Sequence, residues 1–152
     1  MRKTMTVLVV ALTVVAFMAS LTFAAATPEQ AKAWVQKAVK YYKDNGKAKA
    51  LAEFSKPKSE FVKGDQYIYV LDMNGKMLAH PKAALVGKDF LKVKDVNGKI
   101  FAKDMVKIAK EQGKGWVDYV WENPTTKKPE SKTVYFEKVD GVIIASGAYK
   151  KK

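Results

Sequence analysis

The sequence has 152 residues, enough for one domain with a real hydrophobic core and too few for two of ordinary size. Hydrophobic residues make up 48% and charged residues 28%, which excludes a disordered chain. With no cysteine and a single histidine, His80, disulfides, a thiol nucleophile, iron–sulfur clusters and multi-ligand Cys or His metal centres are excluded, and 28 basic against 15 acidic residues leave a net charge of +13.

Met1-Arg2-Lys3 is a short positive region, followed by an apolar run from Met5 to Ala19 and then Ala24-Ala25-Ala26. This is the three-part pattern of a secretory signal peptide over residues 1–26, with cleavage after Ala26, or after Ala24 or Ala25. The alternative is an uncleaved anchor, because the run to Ala26 approaches the ~20 apolar residues that cross a bilayer. Its shortness and alanine ending favour cleavage, and hence a periplasmic or secreted protein. Export also separates the lysine excess from nucleic acid, the partner that such a charge otherwise suggests. Arg2 is the only arginine, so every basic residue after Lys3 is a lysine.

Thr27-Pro28-Glu29-Gln30 reads as a helix start, with Thr27 as cap, Pro28 in the first turn and Gln30 completing a capping box. Apolar residues at Ala31, Trp34, Val35, Ala38, Val39 and Tyr42 give it a helical stripe. Asn45-Gly46 stops or kinks it, and a shorter helix follows through Ala48, Leu51 and Ala52 until Pro57. Gln66 to Met73 predicts a strand, Asn74-Gly75 a tight hairpin, and Lys76 to His80 the partner strand. Lys82 to Gly98 has no clean period and reads as a long packed loop. Ile100, Phe101, Met105, Ile108 and Ala109 predict a further helix. Trp116–Trp121, Lys132–Val139 and Val142–Tyr149 predict three more strands, with a tight turn at Asp140-Gly141. The sum is an α+β domain over residues 27–152 with a mostly antiparallel, five-stranded sheet.

Several segments carry a family likeness in their order and spacing: Y-I-Y-V-L-D-M-N-G-K-M-L-A-H-P (Tyr67–Pro81), V-G-K-D (Val86–Asp89), D-V-N-G-K (Asp95–Lys99), G-K-G-W-V-D-Y-V-W (Gly113–Trp121), S-K-T-V-Y-F-E-K-V (Ser131–Val139) and S-G-A-Y (Ser146–Tyr149). Over residues 27–150 the chain resembles the single Cache domain of type 2, an extracytoplasmic PAS-like sensor module of bacteria. The resemblance implies a long N-terminal helix on one face of the five-stranded sheet. On the other face it implies a small-molecule pocket, roofed by about Pro81 to Gly115. It further implies ligands such as organic acids or amino acids, and a link to chemotaxis or sensor-kinase signalling. Members are commonly fused to a membrane helix and an output domain. This sequence ends three residues after its last predicted strand, so the expectation is a freestanding exported binding protein, monomeric or weakly dimeric.

Trp116, Tyr119 and Trp121 share one strand, with Tyr119 and Trp121 on one face and Trp116 on the other. Indole N–H and phenol O–H groups need partners when buried, and a polar ligand supplies them; the alternative for each ring is core packing. Tyr67 and Tyr69 on the first strand, and Tyr135 and Tyr149 on the last two, join them as ligand-binding candidates. Lys132 is the first choice for charge recognition, since the family pattern also has lysine there; its alternative is a solvated edge residue. His80 either sets the strand-to-loop turn or touches ligand. Asp95 either shapes its turn or bonds a ligand amine from the roof. Asp72-Met-Asn74-Gly75 and Asp95-Val-Asn97-Gly98 open like calcium loops but lack the later ligands, so they read as turns. No catalytic residue, metal or cofactor is assigned, and an enzyme is not expected. The expected function is non-covalent binding of a small metabolite in a sensor module, with a membrane chemoreceptor or sensor kinase as partner. The alternative is an adaptor that docks a membrane receptor and keeps only a vestigial pocket.

Overall fold

The computed structural model describes residues 24–150; the expected export signal therefore lies outside the described residues except for its final alanines. Helix α1 spans Pro28–Asn45. Its start is built as the sequence predicts: the Thr27 hydroxyl accepts from the Gln30 N–H at 3.2 Å, and the Gln30 side chain accepts from the Thr27 N–H at 2.9 Å. Helix α2 spans Lys47–Phe54. Gly46 joins the two helices at φ 81°.

Two short strands follow, β1 (Val62–Lys63) and β2 (Gln66–Tyr67), paired with each other. Then come β3 (Tyr69–Asp72) and β4 (Met77–Ala79), joined at Asn74-Gly75. The single strand expected from Gln66 to Met73 is thus divided at Ile68. Its first part turns away to pair with β1, and its second enters the main sheet. Gly75 is required twice over. It sits at φ 79°, and a Cβ there would come within 2.6 Å of the Leu91 side chain.

The loop from Lys82 holds two 3-10 turns, Ala83–Leu85 and Phe90–Lys92, and the second drives Phe90 into the core. Helix α3 (Phe101–Gln112) leads into β5 (Lys114–Glu122), β6 (Pro129–Val139) and β7 (Val142–Tyr149). Strands β6 and β7 turn at Asp140-Gly141, where both residues have positive φ, 45° and 74°, as a type I′ hairpin needs.

The main sheet is five-stranded and antiparallel, in the order β4-β3-β7-β6-β5. Strand β7 is buried along its whole length because both faces are covered. Val35, Ala38, Val39 and Tyr42 of α1 pack with Phe54 and Phe61 against Ile68, Val70, Val142 and Ile144 on one face. On the other face Tyr69, Leu71, Val134, Phe136 and Ile143 meet Phe90 of the loop and Phe101, Ala102 and Met105 of α3. The predicted α+β architecture, with its long helix on one face and a loop-and-helix roof on the other, is the one found.

Candidate functional site

Strand register gathers polar aromatic residues on the roofed face. Tyr119 of β5 lies opposite Lys132 of β6, and Lys132 lies opposite Tyr149 of β7. Residues directly opposite share a face, so the lysine stands between two tyrosines. Tyr67 and Tyr69 approach from β2 and β3. The Lys132 side chain is 1% exposed. Its Nζ donates to the Tyr67 hydroxyl at 3.0 Å and lies 4.2, 4.9 and 5.6 Å from the ring centres of Tyr67, Tyr149 and Tyr69. Among the described residues no carboxylate pairs with it. An ammonium has three donors, and this one has spent a single donor on protein.

Space for the lysine stem comes from β7. A Cβ at Gly147 would stand 2.3 Å from Lys132 Cε and 2.9 Å from its Cγ, so the stem crosses the glycine directly. The remaining hydroxyls form two short runs. Tyr149 donates to the Glu122 carbonyl at 2.8 Å, which leaves its oxygen to accept from Tyr67 at 3.4 Å. Tyr69 donates to the Met105 sulfur at 3.5 Å and accepts from Tyr119 at 2.9 Å. Burial pushes the ionisation of Tyr69, Tyr119 and Tyr149 upward, so all three are neutral donors.

His80 closes this group. Its Nδ1 accepts from the Lys82 N–H at 2.8 Å, so the neutral ring carries its proton on Nε2. Burial, then the positive charges of Lys132 and Lys82, lower its pKa to about 3. The turn-setting role and a place in the site therefore coexist in one residue.

Two cavities meet at Tyr67, His80 and Trp121, and Lys132 lies behind Tyr67 without lining either. An inner chamber, bounded by Tyr67, Tyr69, His80, Phe101, Tyr119 and Trp121 with Met77 and Phe90, has only about 10 Å³ of free space. That is about one water's room. Phe101 lines the chamber, stacked on Tyr119 with ring centres 3.8 Å apart and planes 7° from parallel. Outside it, and sharing Tyr67, His80 and Trp121, opens a cleft of about 690 Å³. One side of the cleft is Pro57, Val62 and Gly64 around β1; another is the roof at Pro81, Lys82 and Lys94–Val96. The third is the end of β5 with the loop to β6, including Glu122, Pro124, Lys127 and Pro129.

The structure thus brings Tyr67, Tyr69, His80, Tyr119, Trp121, Lys132 and Tyr149 together. Trp116 and Tyr135 lie apart from this group. They are cross-strand neighbours on the α1 face, with ring centres 4.9 Å apart, and the Tyr135 hydroxyl donates to Glu137 at 2.8 Å. Burial first, and that Glu137 contact second, push the Tyr135 pKa to about 12. Asp95 borders the cleft, but its carboxylate already accepts from the N–H groups of Asn97, Lys99 and Val120 at 2.9, 2.9 and 3.0 Å. Burial opposes its charge, and those three N–H groups outweigh burial and hold its pKa below the usual value. It straps the roof to β5. The proline and valine walls of the cleft had no sequence signal, because they converge from segments far apart in the chain.

Comparison with known proteins adds the family context. The family model described as Single Cache domain 2 matches residues 6–151. The methyl-accepting chemotaxis protein McpP of Pseudomonas putida is 35% identical over 88 residues, covering 56% of this chain and 16% of that protein. The chain therefore spans about a sixth of that relative's length. A Cache chemosensory domain solved to explain carboxylic acid recognition superposes with a TM-score of 0.70 at 27% identity, covering 81% of this chain and 92% of that one. The periplasmic sensor domain of a chemotaxis protein gives 0.64 at 26% identity over 81% and 90%. A methyl-accepting chemotaxis protein from Vibrio parahaemolyticus gives 0.69 at 23% identity over 80% and 86%, a likeness of fold.

Proposed function

The chain belongs to the Single Cache domain 2 family, and on that premise we propose that it is an exported sensor module that binds a small carboxylate non-covalently at the Lys132–Tyr67–His80 group. The observation that carries this reading is a buried ammonium with one hydrogen bond and no acidic partner among the described residues. A charge taken out of water costs free energy unless it is paired, and a bound carboxylate is the pair this site lacks. The neutral His80 supplies a further N–H donor and no competing charge. The related Cache domain that recognises carboxylic acids supports the ligand class.

The experiment is titration calorimetry with a panel of carboxylates on the wild type, Lys132→Met and Lys150→Ala. Loss of a charge-assisted hydrogen bond of about 1.5–3 kcal/mol lowers affinity about tenfold to a hundredfold in Lys132→Met. Lys150→Ala, which breaks only an exposed pair with Asp118, changes it less than about twofold. Equal small effects remove Lys132 from the site.

The small inner chamber favours one other reading, an adaptor with a vestigial pocket that docks a membrane receptor. A flat thermal-shift screen together with stable receptor pull-down selects that reading; a ligand-dependent melting shift selects the first. Ala26 bears on where an export signal would be cut. Ala26 is buried against Ala31 and Ala148, and its N–H donates to Asp65 at 3.3 Å. The folded domain thus includes Ala26, which favours cleavage after Ala24 or Ala25. Mass spectrometry of the exported protein tests this, and an intact Met1 overturns it.

A further inference from the structure

The inner chamber has about 10 Å³ free, whereas the cleft outside it has about 690 Å³. The first holds a water at most; the second lies within the ~300–1,000 Å³ range of sites for drug-sized ligands. A carboxylate head seated against Tyr67 and His80 therefore has its room outward, toward the roof and the β5–β6 loop. The chemistry of that outward space is specific. Pro57, Pro81, Pro124 and Pro129 contribute to its wall, together with Val62 and Val96. Proline backbones have no N–H and a fixed φ, so they form a rigid wall that offers few donors. Such a wall rewards apolar surface rather than hydrogen-bonding groups.

The two carboxylates that line the cleft are both engaged, so neither stands free to repel an acidic head. Asp95 is committed to three backbone N–H groups, and Glu122 is paired with Lys82 at 3.4 Å. Lys94 and Lys127 also line the cleft, and neither has an ion pair among the described residues. They draw anions toward the opening without competing for the apolar body.

We propose that the outer cleft takes the apolar body of the ligand, so that this chain selects medium-chain or ring-bearing carboxylic acids over acetate-sized ones. The proposal rests on the carboxylate reading of Lys132, Tyr67 and His80 and adds the other end of the molecule. Trp121, shared by chamber and cleft, marks the junction between head and body.

The test is calorimetry with acetate, butanoate, hexanoate and octanoate on the wild type, Lys132→Met and Val96→Asp. Burying a methylene contributes enough that affinity rises about threefold to fourfold per added carbon until the cleft is filled. Val96 is 68% exposed, so the aspartate is tolerated by the fold, which circular dichroism and melting check. It places a charge where the body lies and lowers the octanoate-to-acetate affinity ratio about tenfold or more. Acetate binding as tightly as octanoate, with both weakened in Lys132→Met, overturns the selectivity and leaves the carboxylate reading standing. An unchanged ratio in Val96→Asp overturns the placement of the body. Octanoate binding that survives Lys132→Met, or no acid binding at all, overturns both.

Discussion

Lys132 carries its charge into the protein without an acid to meet it, and that fixes what its removal does. Lys132→Met keeps the stem and deletes the charge. Unfolding free energy is therefore expected to stay level or rise by about 1–4 kcal/mol while carboxylate binding weakens. A large fall in melting temperature would show instead that the lysine holds the fold. Gly147→Ala acts on the same stem from the other side. Its Cβ meets Lys132 Cε at 2.3 Å and Val134 Cγ2 at 2.7 Å, and overpacking of this kind costs about 1–3 kcal/mol. Denaturant titration checks this, and a neutral substitution would mean that the lysine has another resting place. His80 gives a pH dependence of definite sign. Its pKa falls from 6.5 to about 3 on folding, so the unfolded chain takes up a proton between these values and the native protein does not. Stability is complete above the unfolded value and falls as pH drops below it, by about 2 kcal/mol at pH 5. His80→Asn keeps an acceptor for the Lys82 N–H and flattens the slope. An unchanged slope would place the effect on another group. Much at this scale was readable beforehand. The alternation that puts Trp116 opposite Tyr119 and Trp121 is what the structure shows, and the same parity separates Tyr135 from Lys132, three residues before it. What no spacing could show is that Lys132 leans across Gly147 to reach Tyr67, because that contact joins residues 65 apart.

The elements around the site are tied by single side chains. Asp95 joins the roof to β5 through the Val120 N–H while closing its own turn on Asn97 and Lys99. Asp95→Ala leaves three N–H groups without their acceptor and is expected to cost about 2–3 kcal/mol. Hydrogen exchange should quicken at Asn97, Lys99 and Val120 ahead of the rest of the sheet. Uniform exchange would mean that the roof is held by Phe90 and Phe101 alone. The hairpins at Asn74-Gly75 and Asp140-Gly141 were legible because their turns demand positive φ at named residues. Strand β1 was not, since two residues have no period. Strands β5 and β6 run further than their apolar pattern, out to Glu122 and Pro129, because backbone pairing continues through polar side chains.

For the molecule as a whole, an excess of lysine means self-repulsion in the compact state. Raising salt from about 20 mM to about 300 mM shortens the Debye length severalfold and is expected to raise the melting temperature by a few degrees, as calorimetry can record. A fall would mean that the ion pairs outweigh the repulsion. The same screening slows capture of an acid, since the positive field extends beyond the cleft. At this scale the β3–β4 and β6–β7 neighbours were legible from hairpin signals, whereas the central β3–β7 pairing, Tyr69 with Ala145, joins distant segments and followed only from the family resemblance. The large cleft was not legible, because its wall comes from three distant segments. One line of protons connects the two. It starts on the Lys132 ammonium, passes through Tyr67 and Tyr149, and stops at the Glu122 carbonyl. Glu122 is also the last residue of β5 and lines the cleft, so this run ties the buried lysine to the edge of the opening. The buried cation and the rim of the opening are therefore only three hydrogen bonds apart.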